Sequence, residues 1–178
     1  MSSCPWAAKR CLLVVSAVAL AIVVMQGPAN AQDVSGPDQH FSVTNPADLS
    51  PEEATKIYQS IVDDMADAYA MSGDPSAINY RRWRAFSSSP YPSATHGGRF
   101  VNNYGNALAG PYADGEGTLL PEGAVLAKDS FSVNIDGNVF LGPLFLMEKM
   151  APGFDPEARD WRYTMIMPDG SFFGVTGG

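Results

Sequence analysis

From residue 12 to residue 178 the chain contains no cysteine; its two, Cys4 and Cys11, both fall within the first eleven positions. Whatever folds beyond them does so without a disulfide, a thiol nucleophile or a thiolate metal site. Its stability must come from an apolar core, and 178 residues are enough to bury one in a single domain. With 46% hydrophobic, 11% aromatic and 17% charged residues, the chain is too apolar and too weakly charged for disorder. A formal net charge of −8 without an extended basic run argues against nucleic acid as a partner.

The first 31 residues read as an address. Lys9 and Arg10 are the only charges before Asp33, and an apolar or small run, residues 11–25, follows them directly. Gly27 and Pro28 break the run, and Ala29-Asn30-Ala31 places small residues ahead of Gln32. That order predicts a secretory signal peptide over residues 1–31, cleaved after Ala31, and a periplasmic location. The apolar run falls short of the ~20 residues that span a bilayer, so no stable membrane anchor is expected. Cleavage removes both cysteines and two positive charges, taking the formal charge from −8 to −10.

Residues 32–49 are polar, with Gly36, Pro37 and Pro46, and read as a flexible leader; residues 50–178 read as one domain. Its clearest helix starts at Ser50, where Pro51 and Glu53 complete a capping box. Ile57, Ile61, Met65 and Ala68, widened by Tyr58, Val62 and Tyr69, form the apolar stripe, and Gly73 ends the helix. Asp63, Asp64 and Asp67 make its solvated face. Tyr80–Phe86 is a short basic-aromatic segment whose arginines read as surface partners for an acidic protein. Arg99–Val101 is a short strand, and 102–112 is weakly helical. The remainder alternates as antiparallel sheet: 124–134, an Asp136-Gly137 hairpin turn, 138–150 as a central strand, 160–167 and 171–175. The expected fold class is α+β, an antiparallel sheet of about four to five strands with helices packed on one side.

Generic motifs are absent. There is no G-x-S-x-G, phosphate-binding loop or H-E-x-x-H, and His40 and His96 are too few and too far apart for a zinc pattern. Each histidine reads as structural or solvent-facing. Two charges do not fit their surroundings, however. Lys128 shares strand parity with Ala124 and Leu126, and Glu148 shares it with Leu144 and Leu146. A charge on an apolar strand face must be paired, neutralised or placed in a cavity. Strand-end positions or one mutual ion pair explain both residues as readily as a site does.

Five stretches carry a resemblance: Tyr80–Trp83, Thr95–Tyr104, Pro121–Asp129, Gly142–Met150 and Asp160–Tyr163. In order and spacing, from about Tyr80 to the end, the chain resembles the cytochrome P460 family of exported c-type haem proteins. The resemblance implies that Lys128 matches the lysine that family members cross-link to the haem. It also implies that Glu148 matches a distal-pocket glutamate moving protons of a small nitrogen substrate, and that Arg99 lies near the haem edge. The implied activity is oxidation or binding of hydroxylamine or nitric oxide, or electron transfer to a periplasmic acceptor, with a homodimer compatible.

Family members also carry C-x-x-C-H shortly after a strand matching the one that ends near Val175, and this sequence has none. As given, the chain is not expected to hold haem c through thioethers. Three arrangements account for this: a chain read short of the motif, which is the preferred one, a haem-free descendant, or non-covalent haem with His96 or His40 as ligand. A haem-free periplasmic binding or structural module is the alternative function.

Overall fold

A capping box starts the first helix as the sequence predicts. Ser50 Oγ accepts from the Glu53 amide while the Glu53 carboxylate accepts from the Ser50 amide, and Pro51 fills the first turn. Helix α1 then runs Pro51–Ala70. Its buried stripe is Ala54, Tyr58, Val62, Met65 and Tyr69, one residue round from the stripe expected, with Ile57 and Ile61 only half-buried. The rotation brings two phenols under cover, where their hydroxyls find partners. The computed structural model describes residues 43–115 and 119–176. The signal segment, most of the leader and His40 lie outside the described residues.

A second helix, α2 (Pro75–Asn79), is capped by Asp74 and runs into a 3₁₀ turn over Tyr80–Arg82. Eight strands follow: β1 Arg84–Ala85, β2 Tyr91–Ser93, β3 Arg99–Gly105, β4 Val125–Val133, β5 Val139–Leu141, β6 Leu144–Lys149, β7 Trp161–Ile166 and β8 Phe172–Val175. They form one antiparallel sheet in the order β1-β3-β4-β6-β7-β8, with β2 also on β3 and β5 also on β4. The class is therefore α+β with an antiparallel sheet. The expected four to five strands undercounted it, because β1, β2 and β5 have two or three residues each and cannot display an alternating pattern.

The long return expected over 138–150 is split. Gly142 donates to the Ser130 carbonyl, and a Cβ on Gly142 would come within 2.3 Å of Ser130 Oγ. Only glycine permits that approach, and Pro143 then interrupts the ladder so that β5 and β6 separate. The weakly helical reading of 102–112 also divides. Residues up to Gly105 continue β3 beside β4, and Ala107–Asp114 form a 3₁₀ stretch.

Strand alternation gives the sheet two unlike faces. One carries Phe100, Tyr104, Ala127, Phe131, Leu144, Leu146 and Ile166, and α1 packs over it to form the main core. Burying each large side chain there contributes about 1.5–3 kcal/mol. The other face carries Leu126, Lys128, Phe145, Met147 and Tyr163. It is covered at one end by Ala109 and Leu120, which pack with Leu126 against Met147 and Trp161. Helical segments thus lie on both sides, with α1 and α2 on one and the 107–114 stretch on the other. The sheet leaves part of its second face open.

Candidate functional site

Lys128 and Asp129 are neighbours in β4 and therefore point to opposite faces. Lys128 pairs across with Asn103 and Phe145, while Asp129 pairs with Asn102. The open face forms a groove of about 620 Å³, lined by Leu126, Lys128, Phe145, Met147, Tyr163 and Met165, with Gly174–Thr176 along one wall. Its lining is mainly apolar, and its size suits a small organic ligand or a cofactor. Lys128 is the one charged side chain among the lining residues. Burial holds its amine below the usual lysine range, because the charged form is poorly solvated there.

His96, which the sequence offers only as one alternative ligand for non-covalent haem, joins Lys128 in this groove. It ends a 3₁₀ turn over Ala94–His96, and Gly97, at φ +69°, reverses the chain into β3. The imidazole stands edge-on to Phe145, with ring centres 4.5 Å apart. Its Nδ1 lies 2.8 Å from Ser93 Oγ and 3.0 Å from Thr95 Oγ1, so these hydroxyls fix the ring and Nε2 is the nitrogen left to meet a ligand. Burial, reinforced by the Lys128 charge, lowers its pKa to about 4. At neutral pH the ring is uncharged, the form that coordinates a metal.

The other two residues singled out from the sequence lie elsewhere. Glu148 pairs with Val125 in the ladder and so faces away from Lys128, ion-paired with Arg162 beside Asp74 and Ser76. The structure does not bring Glu148 to Lys128: their separation along paired strands sets opposite parity, and Arg162 satisfies the carboxylate. Arg99 shares the face of Lys128 but lies four residues along β3 from Asn103, about 13 Å on. It lines a separate depression with Ser132, Asn134 and Asp136. Burial lowers its pKa. Of the three predicted site residues, only Lys128 lines the groove.

Under α1 lies a buried polar network that the sequence reading missed. The Asp129 carboxylate, fully buried, accepts from Tyr58 Oη at 2.5 Å, Tyr80 Oη at 3.2 Å and Asn102 Nδ2 at 3.3 Å. Tyr104 Oη lies 2.6 Å from Tyr58 Oη, and Arg81 donates to both phenols, at 2.8 and 3.0 Å. Since Tyr58 gives its proton to Asp129, Tyr104 must donate to Tyr58, and the chain runs Arg81, Tyr104, Tyr58, Asp129. Burial raises the Asp129 pKa to about 6 against the pull of these donors. It raises those of Tyr58 and Tyr80 too, keeping both phenols protonated. Arg81, expected to pair with surface acids, instead closes this network. The available signal was Asp129 itself, whose strand parity matches Ala127 and Phe131.

Among the described residues, no three of His, Cys, Asp and Glu gather as a metal site, and no helix is long and apolar enough to cross a membrane. A haem held by one axial ligand requires neither. The donor set in the groove fits such a group bound without thioethers: one neutral imidazole, two thioether sulfurs from Met147 and Met165, an amine and apolar walls. No family model matches the chain, and no curated protein matches it in sequence.

Proposed function

We propose that the chain is an exported haem-binding domain of the cytochrome P460 kind, with the groove on the open sheet face as its cofactor site. The observation that carries this reading is the meeting of His96 and Lys128 in one apolar groove of about 620 Å³. Both residues lie within the stretches that carry the P460 resemblance. His96, neutral and oriented by Ser93 and Thr95, is the residue that would ligate the iron. Phe145, Met147 and Met165 supply apolar walls, and Lys128 would contribute the amine that the resemblance matches to the haem cross-link. Bound there, haem would supply one-electron chemistry toward a small nitrogen species such as hydroxylamine or nitric oxide, with a periplasmic redox partner as acceptor. Glu148 takes no part in this site, since Arg162 holds it on the opposite face.

Residues 12–178 hold no cysteine, so what these residues themselves would offer haem is non-covalent. A haem-free binding module using the same groove is the second reading, favoured by that same lack of cysteine. Titration of the purified protein with haemin separates them. The proposal expects a saturable shift of the Soret band that His96→Ala weakens strongly, and release of the haem on denaturation. No shift would favour the haem-free module, and a shift unchanged in His96→Ala would remove His96 as the ligand.

A further inference from the structure

The charge inventory of the groove is one-sided. Lys128 is its one charged lining residue, and no carboxylate contributes to the lining, although acids outnumber bases 19 to 11 in the chain. Among the described residues Lys128 makes no ion pair: the one recorded joins Arg162 to Glu148 on the other face. Asn103 and Phe145, its ladder partners, offer no negative charge. His96 beside it is no counter-charge either, because its ring is neutral or positive at any pH the protein meets. A half-buried cation surrounded by leucine, phenylalanine and methionine is a charge awaiting a partner.

We infer that the groove recognises its ligand through a carboxylate: a flat or ring-bearing apolar body with an anionic group that pairs with the Lys128 amine. The apolar walls take the body of the ligand, and Lys128 supplies direction. A single lysine matches a carboxylate, which carries one negative charge. A phosphate bears more charge and usually meets bidentate arginines or several amide donors, and the groove lining contains no arginine. The inference rests on the groove assigned above. It assigns Lys128 the role of a charge anchor, a role that holds whether the occupant is a porphyrin with its propionates or a smaller aromatic acid.

The test compares acids with their own esters. Metal-free protoporphyrin IX and its dimethyl ester, and 2-naphthoate and its methyl ester, are titrated into the full chain and followed by equilibrium dialysis. Removing the iron eliminates coordination by His96, so the difference between acid and ester reports the carboxylate alone. Each acid is expected to bind about ten- to a hundredfold more tightly than its ester. Lys128→Met should abolish the difference, while Lys128→Arg, which keeps the charge, should retain most of it; Lys128→Arg also guards against a folding defect in the first variant. If naphthoate discriminates while neither porphyrin binds, the anchor stands for a smaller acid, and a haemin titration without a Soret shift would sink the haem reading separately. If the porphyrin and its ester bind equally, in wild type and in Lys128→Met, the anchor is overturned and the haem reading survives. Absence of binding by all four probes overturns the anchor, and the haem reading then stands or falls on the haemin titration.

Discussion

Two adjacent residues of β4 show the division of labour in this sheet. Asp129 points under α1 and is met by three donors from three different segments, with Arg81 closing the network through two phenols. Lys128 points the other way into an apolar groove and meets no counter-charge among the described residues. Both are desolvated charges on one strand. The first is satisfied, so its network specifies the packing of α1 on the sheet. The second is unsatisfied, and leaving it so weakens the fold. Contacts tie Asp129 to the packing of α1, and the lack of a counter-charge for Lys128 among the described residues is what supports reading its face as the ligand face.

The largest effect that would break or sharpen this contrast is truncation of the aspartate. Asp129→Ala leaves Tyr58, Tyr80 and Asn102 without their acceptor and Arg81 without its indirect counter-charge. It should lower the unfolding free energy by about 3–5 kcal/mol in urea denaturation. Equal losses in Asp129→Ala and Lys128→Ala would end the distinction between the faces.

Next comes pH. Asp129 titrates near 6 when folded, above its ordinary 3.8, so the folded protein holds that proton more tightly. Its contribution to stability is therefore fully present below about pH 4 and is lost as pH rises through 6. That amounts to about 3 kcal/mol, and Asp129→Asn should remove the slope. His96 runs the other way. Its pKa is depressed from 6.5 to about 4, so its contribution is present above 6.5 and is lost as pH falls through 4. The ring is only half-buried, so this slope is the shallower, and His96→Gln should flatten it. Urea midpoints measured at intervals from pH 4 to pH 8 resolve the two limbs through the variants.

Smaller again is the effect of Lys128→Met, which replaces a cation lacking a partner with an apolar chain of similar length. It should raise stability by about 1 kcal/mol while weakening ligand binding, opposite signs that a purely structural lysine would not show. Smallest is Glu148→Gln. Its pair with Arg162 is more than one-third exposed at the arginine and nearly so at the glutamate, and losing it should lower stability by about 0.5 kcal/mol. Groove binding should not change. A loss of binding in this variant would return Glu148 to the site.

How much of this was legible in the sequence depended on the range of the interaction. The capping box, the amphipathic helix, the Asp136-Gly137 turn and the strands expected over 124–134, 160–167 and 171–175 are local patterns, and each forms close to where periodicity and turn chemistry place it, whereas the return expected over 138–150 is split. Lys128 stood out because parity set a charge against Leu126 within one strand. Parity could not show that Glu148 faces the other way, since the register between β4 and β6 depends on the break at Gly142-Pro143. The role of Asp129, and the place of His96 beside Lys128, were hidden for a similar reason. The surroundings of His96 come from β6, about fifty residues further on, and the donors to Asp129 come from α1, the 80–82 turn and β3. Long-range register is where sequence reading ends and coordinates begin.

On the reading above, the open face is the binding face. Amide NMR spectra of the labelled protein with and without zinc protoporphyrin IX, a diamagnetic stand-in for haem, test it most directly. Shifts should concentrate at Thr95, His96, Lys128, Phe145, Tyr163 and Gly174–Thr176, with Tyr58, Tyr80 and Asp129 unmoved. Shifts centred on Glu148 and Arg162, or no saturable shifts at all, would contradict it.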